Sequence, residues 1–132
     1  MANLQPCVTF AHMNFQGIIL VGIGGCIGCV LRYALGTQLP FDTSRFAWAT
    51  FAVNMLGCLL IGLGMGKIQD ENLKLLLVTG MLGGFTTFSG FGYELYQYAQ
   101  AHEHVRALFY GFFSVSLGYS LVIIGRKFAD VL

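Results

Sequence analysis

The run Gly83-Gly84-Phe85-Thr86-Thr87-Phe88-Ser89-Gly90-Phe91 places glycines, hydroxyls and three phenylalanines inside a segment, Leu75 to Tyr93, that has no charged residue. Such a segment is long enough to cross a bilayer, yet its centre favours a helix break. In lipid every backbone polar group needs a partner, so a break at that depth requires surrounding protein or a hydrated or ion-filled cavity. The polar groups that share the apolar spans are neutral hydrogen-bond donors: the Asn54 amide, the Thr86, Thr87 and Ser89 hydroxyls, and Tyr110 with Ser114 one turn apart. Backbone N–H groups freed at a break add to them. Donors of this kind suit an anion. Phe85, Phe88 and Phe91 recur every three residues; their ring edges carry positive potential and can face an anion, although the same spacing also makes a packing stripe.

Enzymatic chemistry lacks its groups. No nucleophile is paired with a base, no two carboxylates share a span, and no His and Cys stand in metal-ligand register; His12, His102 and His104 lie in the N-terminal segment or the third link. The absence of Asp, Glu and Lys from the middle of the spans also argues against proton-coupled cation transport. Cys26-x-x-Cys29 has a redox spacing but sits in a glycine-rich run without a second ligand pair, and reads as small packing residues.

The elements that must position these donors are membrane helices. The chain is 132 residues long, 56% hydrophobic and only 10% charged, against roughly 25% charged in an average soluble domain. Apolar windows predict helices over about 17–36, 46–66, 75–98 and 107–126. The links between them are too short for a soluble domain, so residues 1–132 are expected to form a single four-helix unit. Residues 1–16 carry no Lys or Arg and lack the basic start of a signal peptide, so the first helix is expected to remain in the mature protein. Gly24 and Gly28 form a small-xxx-small pair, as do Gly25 and Cys29, allowing a neighbouring helix to approach closely. Arg32, near a helix end, is expected to snorkel to the headgroups. Asn54 near the bilayer midplane must be hydrogen-bonded, either as glue between helices or to a passing anion.

Net charge is +1, which offers no basic patch for nucleic acid. With four spans, Lys67, Lys74, Arg126 and Lys127 fall on one side of the membrane, and Arg45 and Arg106 on the other, with Arg32 added if it snorkels that way. The positive-inside bias is almost nil. Both a single weakly preferred orientation and insertion in two orientations, giving an antiparallel homodimer, fit that balance.

Gly24-Gly25-x-x-Gly28-x-x-x-Arg32-Tyr33, Val53-Asn54-x-x-Gly57, Gly83-Gly84-x-Thr86-Thr87-Phe88-Ser89-x-Phe91 and Tyr110 with Ser114 together resemble the Fluc (CrcB) fluoride channel family. The resemblance runs through all four spans in order. Cys29 stands where the family usually has Ala, Ala49 where Gly is common, and Gly90 where Thr or Ser is frequent. It implies an all-α integral membrane four-helix protein with a broken third helix, assembled as an antiparallel dual-topology homodimer with two pores. It further implies passive fluoride export across the cell (inner) membrane. By that resemblance Asn54 donates to fluoride, Phe88 and Phe91 present ring edges to it, and Tyr110 and Ser114 line a polar track, with Thr87 and Ser89 as further members. Carbonyls of Gly83 and Thr86 from both copies would hold a structural Na+ at the dimer axis, and Glu94 matches an acid that follows the motif. Two other classes are weighed against this one. A small dual-topology multidrug transporter needs an acid in the first span, and residues 17–36 have none. A membrane interaction protein would use the same glycines, Asn54 and phenylalanines only to pack helices.

Overall fold

The computed structural model describes residues 14–131; Cys7 and His12 lie outside them. Among the described residues all regular structure is helical, and four helical stretches are long and apolar enough to cross a membrane: Phe15–Gln38, Trp48–Lys67, Glu71–Gln100 and His104–Val131. Ile18, Ile23, Val30, Leu108, Phe112 and Val115 are exposed on the outer surface. A soluble protein of this size would not expose so continuous an apolar surface. The chain is a multi-pass membrane protein.

Helix α1 (Phe15–Gln38) starts at Asn14, whose side-chain Oδ1 accepts from the Gly17 N–H at 2.6 Å. It stops where Leu39 precedes Pro40, since the residue before a proline is pushed out of the helical region. Helix α2 (Trp48–Lys67) follows a link in which Asp42 accepts from both the hydroxyl and the N–H of Ser44. The hydroxyl bond, then the backbone bond, hold the Asp42 carboxyl below its ordinary range. That link is fastened to the turn around residues 98–106 at the same end of the bundle: Tyr98 donates its hydroxyl to the Arg45 carbonyl at 2.7 Å, and Arg106 donates to the Thr43 carbonyl. Ala47, Phe91, Tyr98 and Tyr110 form the buried cluster there, with Phe41, Phe46 and Phe51 packed around it.

The third stretch is composite. A single turn, α3 (Glu71–Leu73), capped by the Asp70 carboxylate, leads into a π-helical segment, Lys74–Leu82, and another turn, α4 (Gly83–Phe85). Thr86 (φ −78°, ψ 156°) and Thr87 (φ −145°, ψ 114°) are extended. Helix α5 (Phe88–Gln100) begins with the Thr87 hydroxyl accepting from the Gly90 N–H. His102, at φ 57°, turns the chain into α6 (His104–Val131). The helices run beyond the apolar windows read from sequence, to Glu71 in the third stretch and to Asp130 and Val131 in the fourth. Charged residues end a hydrophobic window, but they do not end a helix whose backbone bonds are already internal.

Glycines set how closely the helices meet. On α1, a Cβ at Gly24 would overlap the Leu76 carbonyl, and one at Gly28 the Met81 carbonyl, so the π segment lies directly on the α1 backbone. The small-xxx-small spacing has that role. Helices α2 and α6 meet in the same way from both sides, Gly62 against the Val122 carbonyl and Gly125 against the Leu59 carbonyl.

Candidate functional site

The two extended residues between α4 and α5 are the centre of the site. Their backbone is held by side chains from two directions. From α2, Asn54 engages Thr87 twice: its Oδ1 accepts from the Thr87 N–H at 2.8 Å, and its Nδ2 donates to the Thr87 carbonyl at 3.1 Å. The amide thereby stands in for the peptide partner that a sheet or helix would have supplied. From α1, Arg32 donates to the Thr86 carbonyl at 3.4 Å and to the Cys29 sulfur at 3.5 Å, while the Cys29 thiol donates to the Gly84 carbonyl at 3.6 Å. Thr86 also returns its N–H and its hydroxyl to the Leu82 carbonyl, each at 3.0 Å. The break is therefore stable in an apolar setting because the backbone groups it frees are taken up.

Arg32 departs from expectation. Its guanidinium turns to the break, where the Thr86 carbonyl, freed from the helix ladder, accepts from it at a long 3.4 Å. Asn54 is also more committed than its isolated position suggested. One of its two amide hydrogens and one of the two lone pairs of Oδ1 are spent on Thr87, leaving a single amide hydrogen as its free donor.

On the α2, α5 and α6 side, a cavity of about 340 Å³ opens beside the break. Asn54, Thr87, Phe88, Phe91 and Ser114 line it, so five of the sequence-predicted pathway residues come together. The rest of its wall is mostly apolar, with Ile61, Val115 and Val122, but also includes Cys58, Thr86 and Tyr119. The Ser114 Oγ is buried and has no hydrogen-bond partner. A buried hydroxyl left unpaired costs about 1–3 kcal/mol, so Ser114 is the polar group beside this cavity that packing within one chain leaves unsatisfied. Phe88 and Phe91 have ring centroids 5.7 Å apart with planes tilted by 45°, and the Phe88 ring is 83% exposed.

Tyr110 and Ser89 stand apart from that wall. Tyr110 is completely buried, and it donates its hydroxyl to Glu94 Oε2 at 2.6 Å. Its ring packs on Phe91 at 5.1 Å, so it supports the cavity from behind. Ser89 is exposed, with its hydroxyl 3.3 Å from that of Thr87. Gly83 is exposed on the outside of α4, one turn before Thr86.

Glu94 is the residue whose importance was hardest to read. Thr50 on α2 donates to its Oε1 at 2.5 Å and Tyr110 on α6 to its Oε2, so one carboxylate ties α2, α5 and α6 together. The available signals were face positions: Thr50 lies one turn before Asn54, and Glu94 lies three residues after Phe91.

Four helices long and apolar enough to cross a membrane, with a cavity beside a short stretch of extended backbone, fit the class of membrane transport proteins, where non-helical backbone is tolerated at membrane depth beside a cavity. The family profile described as "CrcB-like protein, Camphor Resistance (CrcB)" matches residues 19–126, and the chain belongs to that family. Curated relatives agree. The chain is 39% identical over 126 residues to the "Fluoride-specific ion channel FluC" of Thermus thermophilus, covering 91% of this chain and 98% of that one. It is 43% identical to proteins of the same name from Chloroflexus aurantiacus, over 83% of this chain and 92% of the relative, and from Rhizobium johnstonii, over 81% and 90%.

Proposed function

We propose that this chain is a fluoride-selective ion channel, not an enzyme, that lets fluoride leave the cell passively and so lowers cytoplasmic fluoride. Family membership and the relatives' name support the ion. The observation that carries the site is the buried, unpartnered Ser114 hydroxyl in a cavity it shares with Asn54, Thr87, Phe88 and Phe91. Fluoride is small and strongly hydrated, so its path must replace water with donors. The cavity offers the Ser114 hydroxyl, the remaining Asn54 amide hydrogen and the phenyl edges. A larger anion fits such a set poorly. A potential negative inside drives an anion outward by about 2.3 kcal/mol per 100 mV, so no coupled ion is required.

Residues 1–132 act in this reading as a single four-helix domain, with the interruption at Thr86–Thr87 as the functional break in the third membrane helix. The domain pairs with a second copy as an antiparallel, dual-topology homodimer in the cell (inner) membrane. The near-balanced Lys and Arg distribution supports it. A structural sodium ion at the dimer axis would take the Gly83 and Thr86 carbonyls of each copy. Neutral carbonyl oxygens are the donors a hard monovalent cation accepts, and Gly83 lies on the exposed outside of α4 where a second copy can reach it. One copy supplies too few such oxygens, so the ion would join the two copies. Tyr110, with its hydroxyl committed to Glu94, and Ser89 would belong to the track as supports of its wall and mouth.

Efflux of fluoride and of chloride from liposomes containing the purified protein tests the reading. Fluoride should leave far faster than from empty vesicles and chloride no faster. Folded protein that releases neither, or both equally, would refute it.

A further inference from the structure

Tyrosines of membrane helices gather at the two boundaries, where water reaches the hydroxyl. Tyr119 does not follow that rule. It lies near the middle of α6 and of the apolar window 107–126, it is 71% exposed, and its hydroxyl bonds no other described residue. Its neighbours on the same helix are provided for: Tyr110 donates to Glu94, and Ser120 donates back to the Ser116 carbonyl at 2.9 Å. At this depth hydrocarbon offers nothing to a phenol O–H, so Tyr119 carries a donor whose partner lies outside one chain's own packing.

Two further observations say where that donor stands. Tyr119 lines the cavity beside the interruption, in the same wall as Ser114, whose buried hydroxyl is likewise unpartnered. Between them the helix supplies no donor: Gly118 lies one turn after Ser114, and the Cys58 sulfur and the Met55 methyl are packed 3.3 Å and 3.5 Å from where its Cβ would be. The other α6 members of the wall, Val115 and Val122, are apolar. From Ser114 toward the C-terminal end of α6, Tyr119 is therefore the next hydroxyl in the cavity wall, and its exposure puts it at the open rim while Ser114 is at the buried wall.

We propose that Tyr119 is a further ion-lining residue of this chain, its hydroxyl donating to the anion at the open rim of the cavity beyond Ser114. The assignment rests on the channel reading. A phenol O–H is a neutral donor on a stiff ring, so it replaces a water of the ion without placing in the wall a charge that would hold the ion there. Two hydroxyls of α6 then serve the passing anion in turn, across a stretch where Gly118 has no side chain to offer.

Fluoride efflux from liposomes, at matched incorporation, compares the parent with Tyr119→Phe and with Tyr96→Phe, a control at a tyrosine of α5 that is 57% exposed and outside the cavity. Tyr119→Phe keeps the ring and should slow efflux about fivefold or more, while Tyr96→Phe should stay within about twofold of the parent. Melting temperature and particle mass in detergent should match the parent in both, because the Tyr119 hydroxyl bonds nothing within the chain. Parent-like efflux from folded Tyr119→Phe overturns the assignment and leaves the channel reading standing, as does an equal loss in Tyr96→Phe. Slower efflux together with a lower melting temperature or a changed mass also overturns it, since the hydroxyl would then bond protein and not the ion. A folded parent that passes no fluoride refutes the channel reading and the role of Tyr119 with it.

Discussion

The two sides of the Thr86–Thr87 interruption are built on opposite rules. Toward α1, contact is backbone to backbone: Gly24 and Gly28 lie on the Leu76 and Met81 carbonyls, and Gly84 lies against the Gly25 carbonyl. Toward α2 and α6, contact is made by side chains, and about 340 Å³ is left open among them. The first side has no room for a methyl group at Gly24, Gly28 or Gly84; on the second, Gly57 is closed in the same way by the Thr86 methyl, but a cavity and an unpaired hydroxyl remain beside it. The extended Thr86–Thr87 backbone thus has a close-packed seam on one face and a cavity on the other. The lone positive charge at the interruption, Arg32, belongs to the seam.

Substitutions at the two faces should separate these roles. The largest effect is expected at Gly28→Val, whose side chain would collide with backbone that cannot move away; it should cost more than about 3 kcal/mol and abolish a monodisperse, heat-stable species in detergent. Should the variant purify with unchanged thermal stability, the seam is not the rigid face. Asn54→Ala crosses both roles. Losing its two bonds leaves the Thr87 N–H and carbonyl unpaired, at about 2–4 kcal/mol, so thermal stability and fluoride efflux should fall together. Efflux lost with full stability would assign Asn54 to the ion alone. Ser114→Ala is the smallest change and the sharpest test of the difference. Its hydroxyl bonds nothing in the protein, so stability should stay within about 0.5 kcal/mol of the parent or rise. Efflux should fall by about tenfold if the hydroxyl donates to the ion. A fall in stability with normal efflux would invert the assignment.

Much of this arrangement could be read from the chain before its structure. Gaps between charged residues marked four spans, Gly24 and Gly28 announced a close helix contact, and the Gly83–Phe91 run announced the interruption and the donors around it. Asn54, Thr87, Phe88, Phe91 and Ser114, distant in sequence, line one cavity. Three features stayed hidden because each depends on a partner distant in sequence. Glu94 looks like an acid at a membrane boundary until Thr50 and Tyr110 are seen to reach it. Arg32 looks like a snorkelling residue until the Thr86 carbonyl is freed 54 positions away. The π-helical turns of Lys74–Leu82 leave no mark in hydrophobic periodicity, and α1 presents a Cβ-free face against which they lie.

The proposed ion path runs on the side of the interruption where Phe88 stands, and Phe88 is 83% exposed, so removing its ring should leave a single copy's packing intact. Fluoride efflux from liposomes bearing Phe88→Ile, beside the parent protein at matched incorporation and thermal stability, is the most direct measurement. A loss of about tenfold or more in fluoride efflux from stably folded protein is the predicted result. Unchanged fluoride efflux from the same folded protein would contradict the path.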